Sequence, residues 1–182
     1  MSKPFRMEYS NEIIEELFQR FGPVIGPDYY KYRNHVYRVF LNCLLIDSDK
    51  TNEAKYALAA VFHDIGIWTD HTIDYLDPSV AQAKSYLNQA GRADLIEEIS
   101  LMIHWHHKVS THYGKYEKTV ETFRKADWID VSLGVLTFGF DKHIISENRK
   151  KLPNGGFHWF LIKKTSANFL RHPLNPLPMF TR

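Results

Sequence analysis

The sequence predicts an all-α, single-domain bundle of about seven or eight helices, and three observations support this. Apolar residues recur at helical spacing in one segment after another. Helix-starting and helix-stopping residues stand between those segments. No alternating run with a tight turn suggests a β-hairpin. The 182 residues suit one domain with an ample core. Residues 1–182 then form one unit, with a chemistry-bearing part over about 28–134 and C-terminal helices plus a proline-containing tail over 141–182.

The first helix spans Asn11–Phe21, with Ile13, Ile14, Leu17, Phe18 and Phe21 on one stripe and Ser10 as its cap. Gly22-Pro23 through Gly26-Pro27 should break it. A long helix follows from about Asp28 to Ile46, and the polar stretch Asp47–Lys50 ends it. Thr51 can cap the next, Asn52 to about Ile67, whose centre (Ala54, Ala57–Phe62) is apolar nearly all round. Such a helix belongs in the middle of a bundle. Asp77-Pro78 reads as a start, an acid cap followed by proline, and Gly91 as the stop. Further helices are predicted over Ala93–His107, Lys118–Leu133, Asp141–Lys150 and Phe157–Leu170, the last two separated by Pro153-Asn154-Gly155-Gly156. The tail His172–Arg182 holds three prolines and should lie extended on the surface.

Composition excludes several classes of protein. One cysteine, Cys43, rules out an intrachain disulfide and a cysteine-rich zinc site, and its apolar surroundings predict a small buried hydrophobe. No charged-then-apolar leader opens the chain and no apolar stretch approaches the roughly 20 residues that span a bilayer, so a cytoplasmic protein with no membrane partner is expected. The net charge of +2 is uneven, with eight Lys or Arg against two acids over 141–182. No RNA-binding or zinc-finger pattern accompanies that basic end, so it reads as a solvated face and nucleic acid is not an expected partner.

Four residues far apart in sequence carry the chemistry: His35, the adjacent His63-Asp64, and Asp127. Each falls in a helical segment. Asp127 lies one turn from both Phe123 and Val131, on a stripe where an isolated carboxylate would be costly unless a cation were near. Two imidazoles and two carboxylates suit a divalent Mn, Fe, Co, Ni or Zn ion, and a bundle supplies such ligands from the inward faces of several helices. Four protein ligands would leave positions open on an octahedral ion for water and substrate.

The order His, His-Asp, Asp resembles the HD-domain superfamily of metal-dependent phosphohydrolases. The matching segments are Tyr32–Phe40 (YRNHVYRVF), Leu58–Trp68 (LAAVFHDIGIW) and Phe123–Asp130 (FRKADWID), and the likeness extends from about Asp28 to Gly134. The resemblance implies a helical bundle of the HD type with one divalent metal on His35, His63, Asp64 and Asp127. It also implies hydrolysis of a phosphomonoester or phosphodiester of a nucleotide or related phosphorylated metabolite. Arg38, one turn after His35, and Lys108 are then candidates for phosphate contacts.

Two departures from the family pattern matter. Several HD hydrolases carry an acid three or four positions beyond the dyad, where this chain has Ile67 and Trp68; Asp70 is the nearest acid. Acid–base help could instead come from His104 or His107, one turn apart, beside Asp64 itself. Two-metal HD proteins add histidines between the dyad and the last aspartate. His104, His106 and His107 resemble the later of these, the earlier has no counterpart, and Asp77 stands where it would be sought. A second metal would therefore draw on Asp77, His106 and His107, and one ion is the expectation. The alternatives are an HD-type di-iron oxygenase and a non-catalytic, metal-braced nucleotide-binding module. A homodimer is also open, with the tail and aromatics such as Trp159 and Phe180 packing in cis or across it.

Overall fold

The computed structural model describes residues 10–160 and Lys163, and among them it is all-helical with no strand. Its α-helices are α1 Glu12–Ile25, α2 Tyr29–Ile46, α3 Glu53–Phe62, α4 Gly66–Thr69, α5 Leu76–Gln89, α6 Ile96–Trp105, α7 Glu117–Val131 and α8 Lys142–Lys151. Most of the segment predicted over Phe157–Leu170, and the tail with Phe180, lie outside the described residues. No described helix is long and apolar enough to cross a membrane.

Helix α3 is the axis of the bundle. Every residue from Tyr56 to Phe62 is buried, as its all-round apolar sequence requires, with α1, α2, α5 and α6 packed about it. Cys43 is buried in the same core. Where the chain leaves α2 it turns on Asp47, a buried carboxylate that accepts from Tyr56 Oη at 2.7 Å, Asn52 Nδ2 at 2.9 Å and the Asp49 amide at 3.1 Å. Lys118 of α7 closes the same network at 2.8 Å.

Four boundaries differ from the sequence expectation. Helix α1 runs through Gly22-Pro23 to Ile25, because burial of Phe21 and Ile25 rewards the extra turn; Gly26, at φ +59°, then ends it. The cap is Asn11, accepting from the amides of Ile13 and Ile14, and not Ser10. The helix expected over Asn52–Ile67 is two, α3 and α4, with the break at His63–Ile65. Gly66 explains the break's position: α4 crosses the start of α5 so closely that a Cβ there would lie 2.5 Å from the Tyr75 carbonyl oxygen, while its amide donates to Ser79 Oγ at 3.0 Å. Helix α5 begins at Leu76, so Asp77 lies in its first turn instead of capping it.

Candidate metal centre

The bundle brings five side chains to one buried point. His35 comes from the middle of α2, His63 and Asp64 from the break after α3, His106 from the end of α6, and Asp127 from α7; each is at most 2 % exposed. The adjacent His63 and Asp64 both reach it from the turn between α3 and α4, with His63 Nε2 and Asp64 Oδ2 3.2 Å apart. His35 Nε2 stands 2.9 Å from His63 Nε2, 3.6 Å from Asp64 Oδ2 and 3.7 Å from Asp127 Oδ1, and His63 Nε2 is 3.8 Å from that same oxygen.

Hydrogen bonds on the far side of each ring fix which nitrogen is bare. His63 Nδ1 lies 2.8 Å from the Ala60 carbonyl and His106 Nδ1 2.6 Å from the Ile103 carbonyl. A carbonyl only accepts, so both Nδ1 atoms carry hydrogen and both Nε2 atoms present a lone pair. His35 Nδ1 donates to Asp130 Oδ2 at 2.7 Å, which leaves its Nε2 bare as well. The 2.9 Å approach of His35 Nε2 to His63 Nε2 is then no hydrogen bond, since neither ring has a proton to give there. Burial, against the help of Asp130, lowers the His35 pKa to about 4, which argues against a proton shared between the rings. Two lone pairs at that separation call for a cation between them.

The carboxylates make the same demand. Asp64 Oδ1, Asp127 Oδ1 and His106 Nε2 are buried without a hydrogen-bond partner. Burial raises the Asp127 pKa to about 8, the nearby imidazole of His106 opposing and the charges of Asp64 and Asp130 adding to the rise. An ion bonded at about 2.0–2.2 Å has neighbouring donors about 3.0 Å apart if octahedral and about 3.4 Å if tetrahedral. The separations of 2.9–3.8 Å among these donors fit, so the group could hold a divalent ion.

Each central carboxylate also turns an oxygen toward a second set of rings. Asp64 Oδ1 is 3.6 Å from His106 Nε2, and Asp127 Oδ2 is 3.8 Å from His107 Nδ1. His106, His107 and Asp127 form a further group at metal-binding separation. His107 is 15 % exposed, opening the buried centre toward the surface, and its Nε2 meets the hydroxyl of buried Tyr75.

The other candidates fall elsewhere. Asp77 is exposed at the start of α5, 3.9 Å from His104 Nε2, and neither belongs to the grouped donors. The face shared by His104 and His107 in a regular helix is divided, because α6 ends at Trp105. Asp70 is exposed just after α4, accepting from Thr69 Oγ1 at 2.7 Å. Arg38, the expected phosphate contact, is 1 % exposed, and its guanidinium is committed to Asp130, at 2.6 and 2.9 Å, and to the Leu152 carbonyl at 2.9 Å. Lys108 is half-buried, its carbonyl accepting from Arg124 and Trp128 of α7. Sequence reasoning missed Tyr75, in a loop without pattern, and Asp130. The second had a signal, since it stands one turn after Asp127 as Arg38 stands one turn after His35. No family model, curated protein or solved structure matches the chain.

Proposed function

We propose that the protein is a metal-dependent phosphohydrolase of the HD type, cleaving a phosphomonoester or phosphodiester of a nucleotide or related phosphorylated metabolite. The observation that carries the reading is the convergence of bare imidazole nitrogens and unpartnered carboxylate oxygens on one buried point. His35, His63, Asp64 and Asp127 would hold the ion, and nitrogen with oxygen donors suit Mn, Fe, Co, Ni or Zn. When bound, such an ion lowers the pKa of a coordinated water and polarises a phosphoryl oxygen.

The chain's own groups supply the rest. The Ala60 carbonyl and Asp130 keep Nε2 of His63 and His35 free of hydrogen, so neither ring has to lose a proton before it binds. His107, partly open to solvent and hydrogen-bonded to Tyr75, is within reach of the centre and able to carry a proton to or from the reacting oxygen. His104 and Asp77 lie on the more exposed side of α5 and α6, where a larger substrate would meet them. Burial of the five central side chains keeps bulk water away, which strengthens every charge interaction there.

Reconstitution with each metal, followed by phosphate release from a panel of nucleotides, sugar phosphates and simple aryl mono- and diesters, tests this. Turnover that needs both metal and His63 supports it. Tight nucleotide binding without turnover would replace it with the binding-module reading. The pairing of His106 and His107 with the outward oxygens of Asp64 and Asp127 favours a second reading, a two-ion centre that does not need Asp77. Two irons per chain with dioxygen uptake would make that centre an oxygenase.

A further inference from the structure

Asp130 stands beside the metal centre without facing it. Both its oxygens are taken: Oδ2 accepts from His35 Nδ1 at 2.7 Å and Arg38 Nη2 at 2.9 Å, and Oδ1 from Arg38 Nε at 2.6 Å and Arg149 Nη1 at 2.9 Å. Arg149 Nη1 also reaches the Asp130 carbonyl at 3.3 Å. Arg38 belongs to α2, the helix of His35, but Arg149 comes from α8, beyond the stretch in which the metal-site pattern lies. The chain after α8 makes further ties to the same part of α2, beginning with the Leu152 carbonyl, which accepts from Arg38 Nη1 at 2.9 Å. Asn34 Nδ2 donates to the Pro153 carbonyl at 2.9 Å, and the Phe157 ring stacks on the His35 imidazole with centroids 4.2 Å apart.

We propose that Arg149 is a positioning residue of the metal centre: with Arg38 it holds Asp130 in the orientation that aims the bare Nε2 of His35 at the ion, so that metal binding depends on the docking of α8. The proposal rests on the metal-centre reading above. A carboxylate that accepts one bond from His35 is free to rotate unless its other lone pairs are engaged, and here two guanidiniums engage them. Their positive charges also offset those of Asp64, Asp127 and Asp130, three acids on neighbouring buried positions. Arg149 is the replaceable member of the pair. Its side chain is 21 % exposed, and without it Asp130 Oδ1 still accepts from Arg38 Nε, so its loss leaves no buried acceptor bare.

The test uses the whole chain, stripped of metal and titrated with Co(II) against a chromophoric chelator. Arg149→Met should bind Co(II) about tenfold more weakly, the lower end of what loss of an outer partner costs a metal site. Its visible Co(II) spectrum should differ from that of the parent, while the melting temperature of the metal-free protein stays nearly unchanged. Lys150→Met removes the same charge from the same turn without touching Asp130 and should bind as the parent does; among the described residues Lys150 pairs with Glu147, at 2.7 Å. In the metal-free protein, the nitrogen-bound proton of His35 Nδ1, followed by NMR in 15N-histidine-labelled protein, should exchange faster in Arg149→Met. Arg149→Lys keeps the charge and should lie between the two, which preserves the comparison if the methionine variant does not fold. Parent-like affinity, spectrum and exchange in the Arg149 variants would overturn the proposal, as would an equal loss in Lys150→Met. A parent that binds no metal overturns the centre itself and this inference with it; the metal-free exchange measurement tells that failure from the first.

Discussion

The metal-free centre should be a source of instability whose size depends on pH, and Asp127 sets the sign. Its carboxyl titrates near 8 in the folded chain, against an ordinary value near 3.8. In the unfolded chain it is ionised above pH 5, whereas in the folded chain it keeps its proton until about pH 8. The folded state therefore binds one more proton, and stability falls as pH rises through that interval. His35 acts in the opposite sense, because its folded value of about 4 lies below its ordinary 6.5. Its contribution is complete above pH 6.5 and fades as pH falls toward 4. His107, also lowered by burial, behaves likewise. Between pH 6.5 and 8 the burden of Asp127 is thus not offset by His35 or His107. At about 1.4 kcal/mol per pH unit, the metal-free protein should lose about 2 kcal/mol across that window. For a chain of this size that is a fall of about 4–8 °C in melting temperature. Adding metal at a hundredfold excess over its dissociation constant should restore about 2.7 kcal/mol and flatten the slope, since the bound form keeps Asp127 ionised throughout. Asp127→Asn sharpens the test. It removes a charge that the empty site cannot compensate, so the metal-free variant should melt above the metal-free parent at pH 8, show no slope from pH 6.5 to 8, and gain little from metal. Calorimetry or thermal circular dichroism on four samples, parent and variant with and without metal, reads all of this. Metal-free parent that becomes more stable from pH 6.5 to 8, or a variant that melts below it at pH 8, would refute the assignment of the burden to Asp127.

Three other expectations concern the centre and its frame. His63→Ala should lose its bound metal and abolish any hydrolysis while keeping most of its helical signal, checked by elemental analysis and far-UV circular dichroism; full activity would refute the site. Gly66→Ala should cost about 1–3 kcal/mol, because its Cβ would stand 2.5 Å from a backbone oxygen that cannot step aside, and denaturant melts would show it. His106→Ala and His104→Ala should separate cleanly in metal stoichiometry and turnover. The first removes a ring 3.6 Å from Asp64 Oδ1, while the second removes a partly exposed ring whose nearest acid is Asp77 at 3.9 Å. A two-ion centre would lose an ion with His106 and keep both without His104.

Much of this was legible because helical spacing and buried charge leave plain marks in a sequence. The all-round apolar stretch Ala57–Phe62 marked the central helix, and a histidine or aspartate set on the buried stripes of three helices marked the residues that converge. The parts that were not legible depend on where helices stop. A regular helix from Asn52 to Ile67 would turn His63 and Asp64 about 100° apart; in the structure both lie in the turn between α3 and α4, with Nε2 and Oδ2 3.2 Å apart. The turn's position follows from Gly66, whose Cα meets the backbone of Tyr75 and whose amide bonds Ser79 thirteen residues on, contacts invisible to local pattern. The end of α6 at Trp105 likewise parts His104 from His106 and His107, which a continuous helix would have kept in register.

Arg38 carries the same argument one step outward. Its place one turn after His35 is correctly read as a place on the same face of α2, and a phosphate was the anion expected there. The anion it meets is Asp130, whose Oδ2 accepts from Arg38 and from His35 alike. Sequence spacing told which residues share a face; it could not tell which anion that face meets, because that choice is made by the packing of α2 against α7. A cation spent on orienting a ligand is not available to a substrate. Under the proposed phosphohydrolase reading, positive charge for an anionic substrate would come from the bound ion and from Lys108, the half-buried cation that follows His107 and acts on the His104 ring. Loss of the Lys108 charge should then raise KM for an anionic substrate, whereas loss of the Arg38 charge should act through metal affinity and the fold. Steady-state kinetics of Lys108→Met against metal titration of Arg38→Met separates the two roles, and the opposite pattern would return Arg38 to the substrate.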